Sequence, residues 1–208
     1  MPARLRPSAP IAADAILVGD PGRALMLAQE LLQQPKMSNH ARGLWGYTGV
    51  THAGEELTIQ ATGMGGPSAA VVLADLAELG VRRAIRIGTC ASLGSLALGD
   101  LLIALSANSQ QPDETLTAAL TEALPDADHG PVVSLDTLYR PERDLPSALA
   151  EAADMQTAGL LAAAAEHDVA VAALLIVTDK SDSGQLQDEE LEEAAKQGGT
   201  AAAAILSP

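Results

Sequence analysis

Two short segments of this chain pair an arginine with a glycine turn, an arrangement suited to holding an anion. The first is Arg86-x-Gly88-Thr89-Cys90, which ends the apolar run Ala84-Ile85-Arg86-Ile87. An arginine inside an apolar strand needs a partner, because a desolvated, unpaired charge is costly. Its guanidinium supplies a bidentate fork, and the turn supplies backbone N–H groups beside a hydroxyl. The same residues also fit an edge strand with a solvated arginine. The second segment is Gly19-Asp20-Pro21-x-Arg23, directly after Ile16-Leu17-Val18. Pro21 suits the first turn of a helix. Gly19 lets a ligand approach the backbone. Arg23 falls within one turn of that helix start, where the dipole also favours an anion.

The elements that must position these residues follow from hydrophobic period and turn chemistry. Strands are predicted at 15–18, 44–50, 57–61, 84–87, 101–105, 131–134 and 172–177. Helices are predicted at 24–34, 68–79, 114–124, 157–167 and 188–206. The helices lie between the strands, so the class is α/β. A hairpin across His52, Ala53 and Gly54 makes the sheet mixed. Pro67 opens the second helix after Gly63-Met64-Gly65-Gly66, and Gly80 closes it. The most loop-like stretches are 108–113 and 140–147. In open α/β sheets ligands sit beyond the carboxyl ends of the strands. Those ends carry Gly19 and Arg23, the 63–66 turn, Gly88 and Thr89, and Thr178-Asp179. The set describes a pocket for an anion plus a neutral polar molecule. The 63–66 turn lacks the spacing of a dinucleotide fingerprint.

Composition narrows the partners. The 208 residues are enough for one domain, 1–208, with a sizeable core. The chain has no Phe, one Trp and two Tyr, so Ala, Leu, Val and Ile must build that core. A formal charge of −15 argues against nucleic acid or an anionic membrane as partner. A single cysteine, Cys90, cannot form an internal disulfide. With no signal peptide and no apolar run of membrane-spanning length, the expectation is a cytoplasmic protein. Cys90 reads as a small buried hydrophobe. His40, His52, His129 and His167 are scattered, with no zinc spacing, so no metal is expected.

Five motifs occur in order: Gly19-Asp20-Pro21-x-Arg23, Arg42-Gly43-x-x-Gly46-Tyr47-Thr48-Gly49, Gly63-Met64-Gly65-x-Pro67-Ser68, Arg86-x-Gly88-Thr89-Cys90 and Val177-Thr178-Asp179. Together they resemble the nucleoside phosphorylase-I family, which includes purine nucleoside phosphorylase and uridine phosphorylase. The similarity runs from about residue 15 to 205 and is strongest from 19 to 99. The resemblance implies a mixed, twisted sheet flanked by helices. It also implies phosphorolysis of a nucleoside, of purine type, to free base and ribose 1-phosphate, with inorganic phosphate as co-substrate and no other cofactor. Phosphate would be held by Gly19, Arg23, Arg86 and Thr89. Arg42 would arrive from a neighbouring subunit, in a homo-oligomer that is a dimer or a hexamer built of dimers. Met64, Asp154, Met155 and Gln156 would bind the nucleoside. Asp179 would be the general acid that protonates the departing base. Arginines that position the phosphate, and an acid at the leaving group, are what such a displacement needs.

The chain also departs from the pattern. Asp154-Met155-Gln156 stands where the family has Glu-Met-Glu, whose second glutamate accepts hydrogen bonds from the ribose hydroxyls. Gln156 keeps an acceptor and loses the charge, so restoring the glutamate is expected to lower the Michaelis constant. The arginine that assists the acid is missing from the acidic stretch 188–195. The base-side segment matches only at Asp136-Thr137-Leu138-Tyr139. These departures keep two alternatives open: a non-catalytic or regulatory member that binds the anion or nucleoside, and a nucleoside hydrolase. Replacing Arg86 with Ala is expected to leave the fold intact while removing the anion.

Overall fold

The structure, a computed structural model, describes residues 4–137, 150–180 and 184–207. Leu138, Tyr139 and the loop expected at 140–147 lie outside the described residues. In chain order the elements are β1 (Asp14–Val18), α1 (Pro21–Leu31), β2 (Leu32–Asn39), a 3-10 turn (Ala41–Gly43), β3 (Gly46–Thr51), β4 (Glu56–Ala61), α2 (Gly66–Glu78) and β5 (Arg83–Ser92). There follow β6 (Leu101–Ala107), α3 (Glu114–Ala123), β7 (Asp128–Ser134), β8 (Ala152–Asp154), α4 (Thr157–Glu166), β9 (Ala170–Lys180), β10 (Gly184–Gln185) and α5 (Asp188–Leu206). The five expected helices and seven expected strands are all present. The additions are β2, β8 and β10. The first helix stops at Leu31 rather than 34, and residues 32–39 turn back as an edge strand against β3.

The described strands form one mixed sheet in the order β10-β9-β6-β7-β8-β5-β1-β4-β3-β2. The strand β5 is its pivot. It pairs parallel with β1 and with β9, and antiparallel with β8 through Ala91 and Ser92. Because β9, β6, β7 and β8 are also paired in succession, those four strands and β5 close into a ring.

Period-two alternation sorts the strands onto two apolar layers. On β1, Ala15 and Leu17 join one cluster while Ile16 and Val18 join the other. On β9, Val171, Ala173, Leu175 and Val177 face the first layer, and Ala172, Leu174 and Ile176 the second. The helices α2 and α4 cover the first face. The helices α1, α3 and α5 cover the second. On β5, Ala84 and Cys90 face α2 and α4, so the same alternation turns Arg86 and Gly88 to that side.

Small residues let α2 and α4 pack closely side by side on the first face. A Cβ added at Gly159 in α4 would lie 2.9 Å from the Gly66 Cα at the start of α2. The obstacle is backbone, which has no rotamer with which to yield. We therefore expect Gly159→Ala to push the two helices apart and cost about 1–3 kcal/mol. The expected readout is a lower urea midpoint with an unchanged m-value.

Candidate functional site

The carboxyl ends of β1, β4 and β5 open into a cavity of about 410 Å³. Its lining includes Gly19, Arg23, Met64, Arg86, Thr89 and Gln156, and Met155 also contributes. Three helices begin around it. Asp20 caps α1, its Oδ2 accepting from the Arg23 backbone N–H at 2.8 Å. Gly63 and Gly65, at φ of 73° and 83°, form the left-handed turn that leads into α2. That turn leaves Met64 82% exposed at the cavity mouth. The helix α4 begins at Thr157, directly after Gln156. Orphan N–H groups at helix starts favour an anion here.

The two arginines of the cavity are held differently. The guanidinium of Arg23 makes no hydrogen bond to any of the described residues. Burial lowers its pKa from the ordinary arginine value. The Asp20 carboxylate acts to raise it, and the positive charge of Arg86 lowers it further. Two guanidinium groups that repel across a cavity define a place for a negative charge.

Arg86 is 4% exposed and bound on all three nitrogens. Nη2 pairs with Asp154 Oδ2 at 3.1 Å, Nη1 donates to Gln156 Oε1 at 2.6 Å, and Nε donates to Thr157 Oγ1 at 3.3 Å. A guanidinium has five N–H groups, so two remain for a ligand. Gly88 makes room for this arrangement. A Cβ there would fall 2.5 Å from the Arg86 guanidinium carbon, two residues along the same strand face. The Arg-x-Gly spacing is thus set by the arginine folding back over the glycine. Gly19 is under no such constraint. A Cβ there would meet the Gly63 carbonyl at 3.5 Å and the Gln156 amide at 3.7 Å, both ordinary contacts.

Asp154 is placed otherwise than the sequence suggests. It is fully buried and does not line the cavity. Its Oδ2 accepts from Arg86, from Thr157 Oγ1 at 2.6 Å and from the Thr157 backbone N–H at 2.9 Å. Its Oδ1 accepts from Ser134 Oγ at 2.5 Å. With its acceptors used inside the chain, Asp154 holds Arg86. Thr157 and Ser134, which the sequence did not single out, complete this network. Each is an ordinary hydroxyl residue, and only the fold shows which carboxylate it meets.

Gln156 is 4% exposed. Besides the Arg86 bond, its Oε1 lies 3.2 Å from Thr62 Oγ1, and its Nε2 donates to the Gly63 carbonyl. It is therefore more than a glutamate with its charge removed. A glutamate in this pose would set an oxygen against the Gly63 carbonyl oxygen.

The structure does not bring the remaining two candidates into this cavity. Asp179 is the penultimate residue of β9, where its Oδ2 accepts from Thr178 Oγ1 at 2.8 Å and its Oδ1 from Gln185 Nε2 at 2.9 Å. It is not among the cavity-lining residues. Gln185 is a partner that the sequence did not reveal, because it reaches Asp179 through the two-residue strand β10. Arg42 is exposed, at φ of 61° in the 3-10 turn, and lines no part of its own chain's cavity. Cys90 is buried, and its thiol pKa is pushed upward, by burial first and then by Asp154, against the pull of Arg86. It stays protonated and is a core residue, as expected.

The buried ion pair revises one expectation. Arg86→Ala leaves Asp154 buried without its counter-charge, so the fold should lose about 3–5 kcal/mol rather than stay intact. Asp154→Ala should cost a similar amount. The double variant R86A/D154A should be far less destabilised than the sum of the single changes. Thermal denaturation of the four proteins checks this cycle, and additive losses would show that the pair is not coupled.

The chain can be set beside known proteins. A family model described as the phosphorylase superfamily matches residues 14–110 and 105–208. The DeoD-type purine nucleoside phosphorylase of Caldanaerobacter subterraneus subsp. tengcongensis is 31% identical, over 86% of this chain and 88% of its own. A protein of the same description from Alkaliphilus metalliredigens is also 31% identical, with the same coverage. Among solved structures, purine nucleoside phosphorylase from Toxoplasma gondii in complex with immucillin-H superposes with a TM-score of 0.84 at 22% identity, covering 95% of this chain and 92% of that one. Uridine phosphorylase from Vibrio fischeri gives 0.84 at 20% identity, covering 94% and 92%. These two likenesses concern the fold alone. With both halves of its length matched by the family model, the chain belongs to the phosphorylase superfamily.

Proposed function

We propose that this protein catalyses phosphorolysis of a purine nucleoside to the free base and ribose 1-phosphate. The observation that carries the reading is the cavity itself. It sets the unbonded Arg23 guanidinium beside the two spare N–H groups of Arg86 and the start of α1. Inorganic phosphate fits that donor set as the co-substrate. Its nucleophilic oxygen would be held by charge-assisted hydrogen bonds, which are stronger than neutral ones. The sugar would lie between Met64 and Met155. Positioning the anion against the anomeric carbon supplies much of the acceleration. Asp179 would supply the proton to the leaving base. The purine assignment rests on the DeoD-type purine phosphorylases at 31% identity and on the aspartate of the Val177-Thr178-Asp179 motif.

The exposed Arg42 and the exposed Met64 at the cavity mouth support a homo-oligomer in which Arg42 reaches a partner's phosphate. No helix among the described residues is long and apolar enough to cross a membrane. A second reading, an anion-binding member without turnover, draws on Asp179 standing outside the cavity lining.

A panel of nucleosides assayed with and without phosphate separates these readings. Phosphate-dependent release of ribose 1-phosphate is expected. Free ribose without phosphate would make the protein a hydrolase, and no product at all would favour the binding reading. Arg23→Ala should raise the Michaelis constant for phosphate about 10- to 100-fold through the lost charge-assisted bonds, with little change in melting temperature. Asp179→Asn should abolish turnover. Sedimentation at micromolar concentration should give at least a dimer, and a stable monomer would remove Arg42 from the site.

A further inference from the structure

We infer that Asn39 is a positioning residue for Arg42: its buried amide locks the turn that carries Arg42, and phosphate affinity in a partner's cavity depends on it. The inference rests on the reading that Arg42 reaches a partner's phosphate. Arg42 stands at φ of 61° and ψ of 18°, and Gly43 follows at φ of 72°. The Leu44 N–H closes the turn on the Ala41 carbonyl at 3.1 Å. Two successive left-handed residues inside such a bond are the mark of a type I′ turn, whose central positions favour Asn, Asp and Gly. Arginine has no local reason to stand at the first of them. A non-glycine residue in that region is costly, and it persists only where its surroundings over-determine it.

Two side-chain amides, those of Asn39 and Gln60, surround the base of the turn, and both residues are fully buried. The Leu44 carbonyl accepts from Asn39 Nδ2 at 2.5 Å and from Gln60 Nε2 at 2.9 Å. A carbonyl oxygen has two lone pairs, so it can take both donors. The second Nδ2 hydrogen of Asn39 is left for the Ala41 carbonyl, at a longer 3.4 Å. Asn39 thus holds the chain on each side of Arg42. Gln60 donates to the Leu44 and Ala61 carbonyls, both beyond the turn.

The orientation of the Asn39 amide is set from outside the turn. The Arg6 backbone N–H can only donate, and it meets Asn39 Oδ1 at 2.9 Å. The amide oxygen therefore faces the amino-terminal segment, and the nitrogen faces the turn. That segment is anchored at both ends. Asp75 Oδ2 on α2 accepts from the backbone N–H groups of Arg4 and Leu5, and the Ser8 N–H donates to the Ser38 carbonyl on β2 at 2.8 Å. Residues 4–8 so form a continuous backing for Asn39 between α2 and β2. At the tip of the turn, Arg42 is exposed, and a Cβ added at Gly43 would meet no described atom within 4 Å. A turn clamped at its base and open at its tip can offer Arg42 to a second copy of the chain.

The test is a double-mutant cycle on the full chain, read by calorimetric binding of inorganic phosphate and by steady-state kinetics with inosine. Asn39→Asp keeps the acceptor for Arg6 and sets an oxygen against the Leu44 carbonyl. Arg42→Asn removes the guanidinium and suits the left-handed turn. Asn39→Asp should raise the dissociation constant and the Michaelis constant for phosphate about five- to thirtyfold, because fewer chains hold Arg42 in place. The kcat at saturating phosphate should hold, as it does when binding rather than chemistry is lost. In the Arg42→Asn background, Asn39→Asp should change phosphate affinity no further. Asn39→Ala, put through the same cycle, covers an aspartate variant that does not fold. Unchanged phosphate affinity in the Asn39 variants, or an equal loss with and without Arg42, overturns the inference and leaves phosphorolysis standing. Wild-type phosphate affinity in Arg42→Asn takes Arg42 out of the site, and the inference with it. If the wild type turns over no nucleoside, the phosphorolysis reading fails and the phosphate-binding cycle decides. A wild type that binds no phosphate overturns the inference as well.

Discussion

The buried pair of Arg86 and Asp154 is the interaction on which the cavity depends. A guanidinium 4% exposed and a carboxylate with no exposure meet at 3.1 Å, one on β5 and the other at the end of β8. Neither charge is tolerable in that setting without the other. The pair therefore constrains everything around it. It requires Gly88, because any side chain there would collide with the guanidinium. It makes use of the short strand β8, which carries Asp154 to the edge of β5. It ties the start of α4 to the sheet, since Thr157 contacts both charges.

Division of labour between the arginines follows from this. Arg86 is largely occupied within the chain and acts as a fixed floor with two N–H groups to spare. Arg23 has its guanidinium unbonded and supplies the charge that a ligand can neutralise. A chain of net charge −15 can still attract an anion at such a place, because the acidic residues near the cavity are either buried against arginine or spent on capping. The long-range field repels anions, and the local donors overcome it at close range, where screening by solvent is weakest.

The network also explains the departure from Glu-Met-Glu better than loss of function does. An acceptor-only side chain at 156 would face the Gly63 carbonyl, whereas an amide satisfies Arg86 and Gly63 at once. The glutamine is matched to the loop it touches. Gln185 stands in a comparable relation to Asp179, a neutral donor beside the carboxylate where the family pattern has an arginine nearby.

Much of the architecture is local and so was legible in the sequence. Helix starts at Pro21, Pro67 and Asp188, and the alternation on β1, β5 and β9, depend on spacing within a dozen residues. So does the Arg-x-Gly spacing on β5, which sets Arg86 and Gly88 on one face of the strand. The strands that escaped notice have weak local signals: β2 is polar with a proline, β8 has three residues and β10 has two. Each exists because a partner strand completes its hydrogen bonds. The roles of Asp154, Gln156 and Asp179 were beyond reach for the same reason. Arg86 finds its counter-charge 68 residues away, and Gln156 reaches Gly63 across 93. Which groups are spent inside the chain, and which are left for a ligand, is decided only when tertiary packing brings those distant residues into contact.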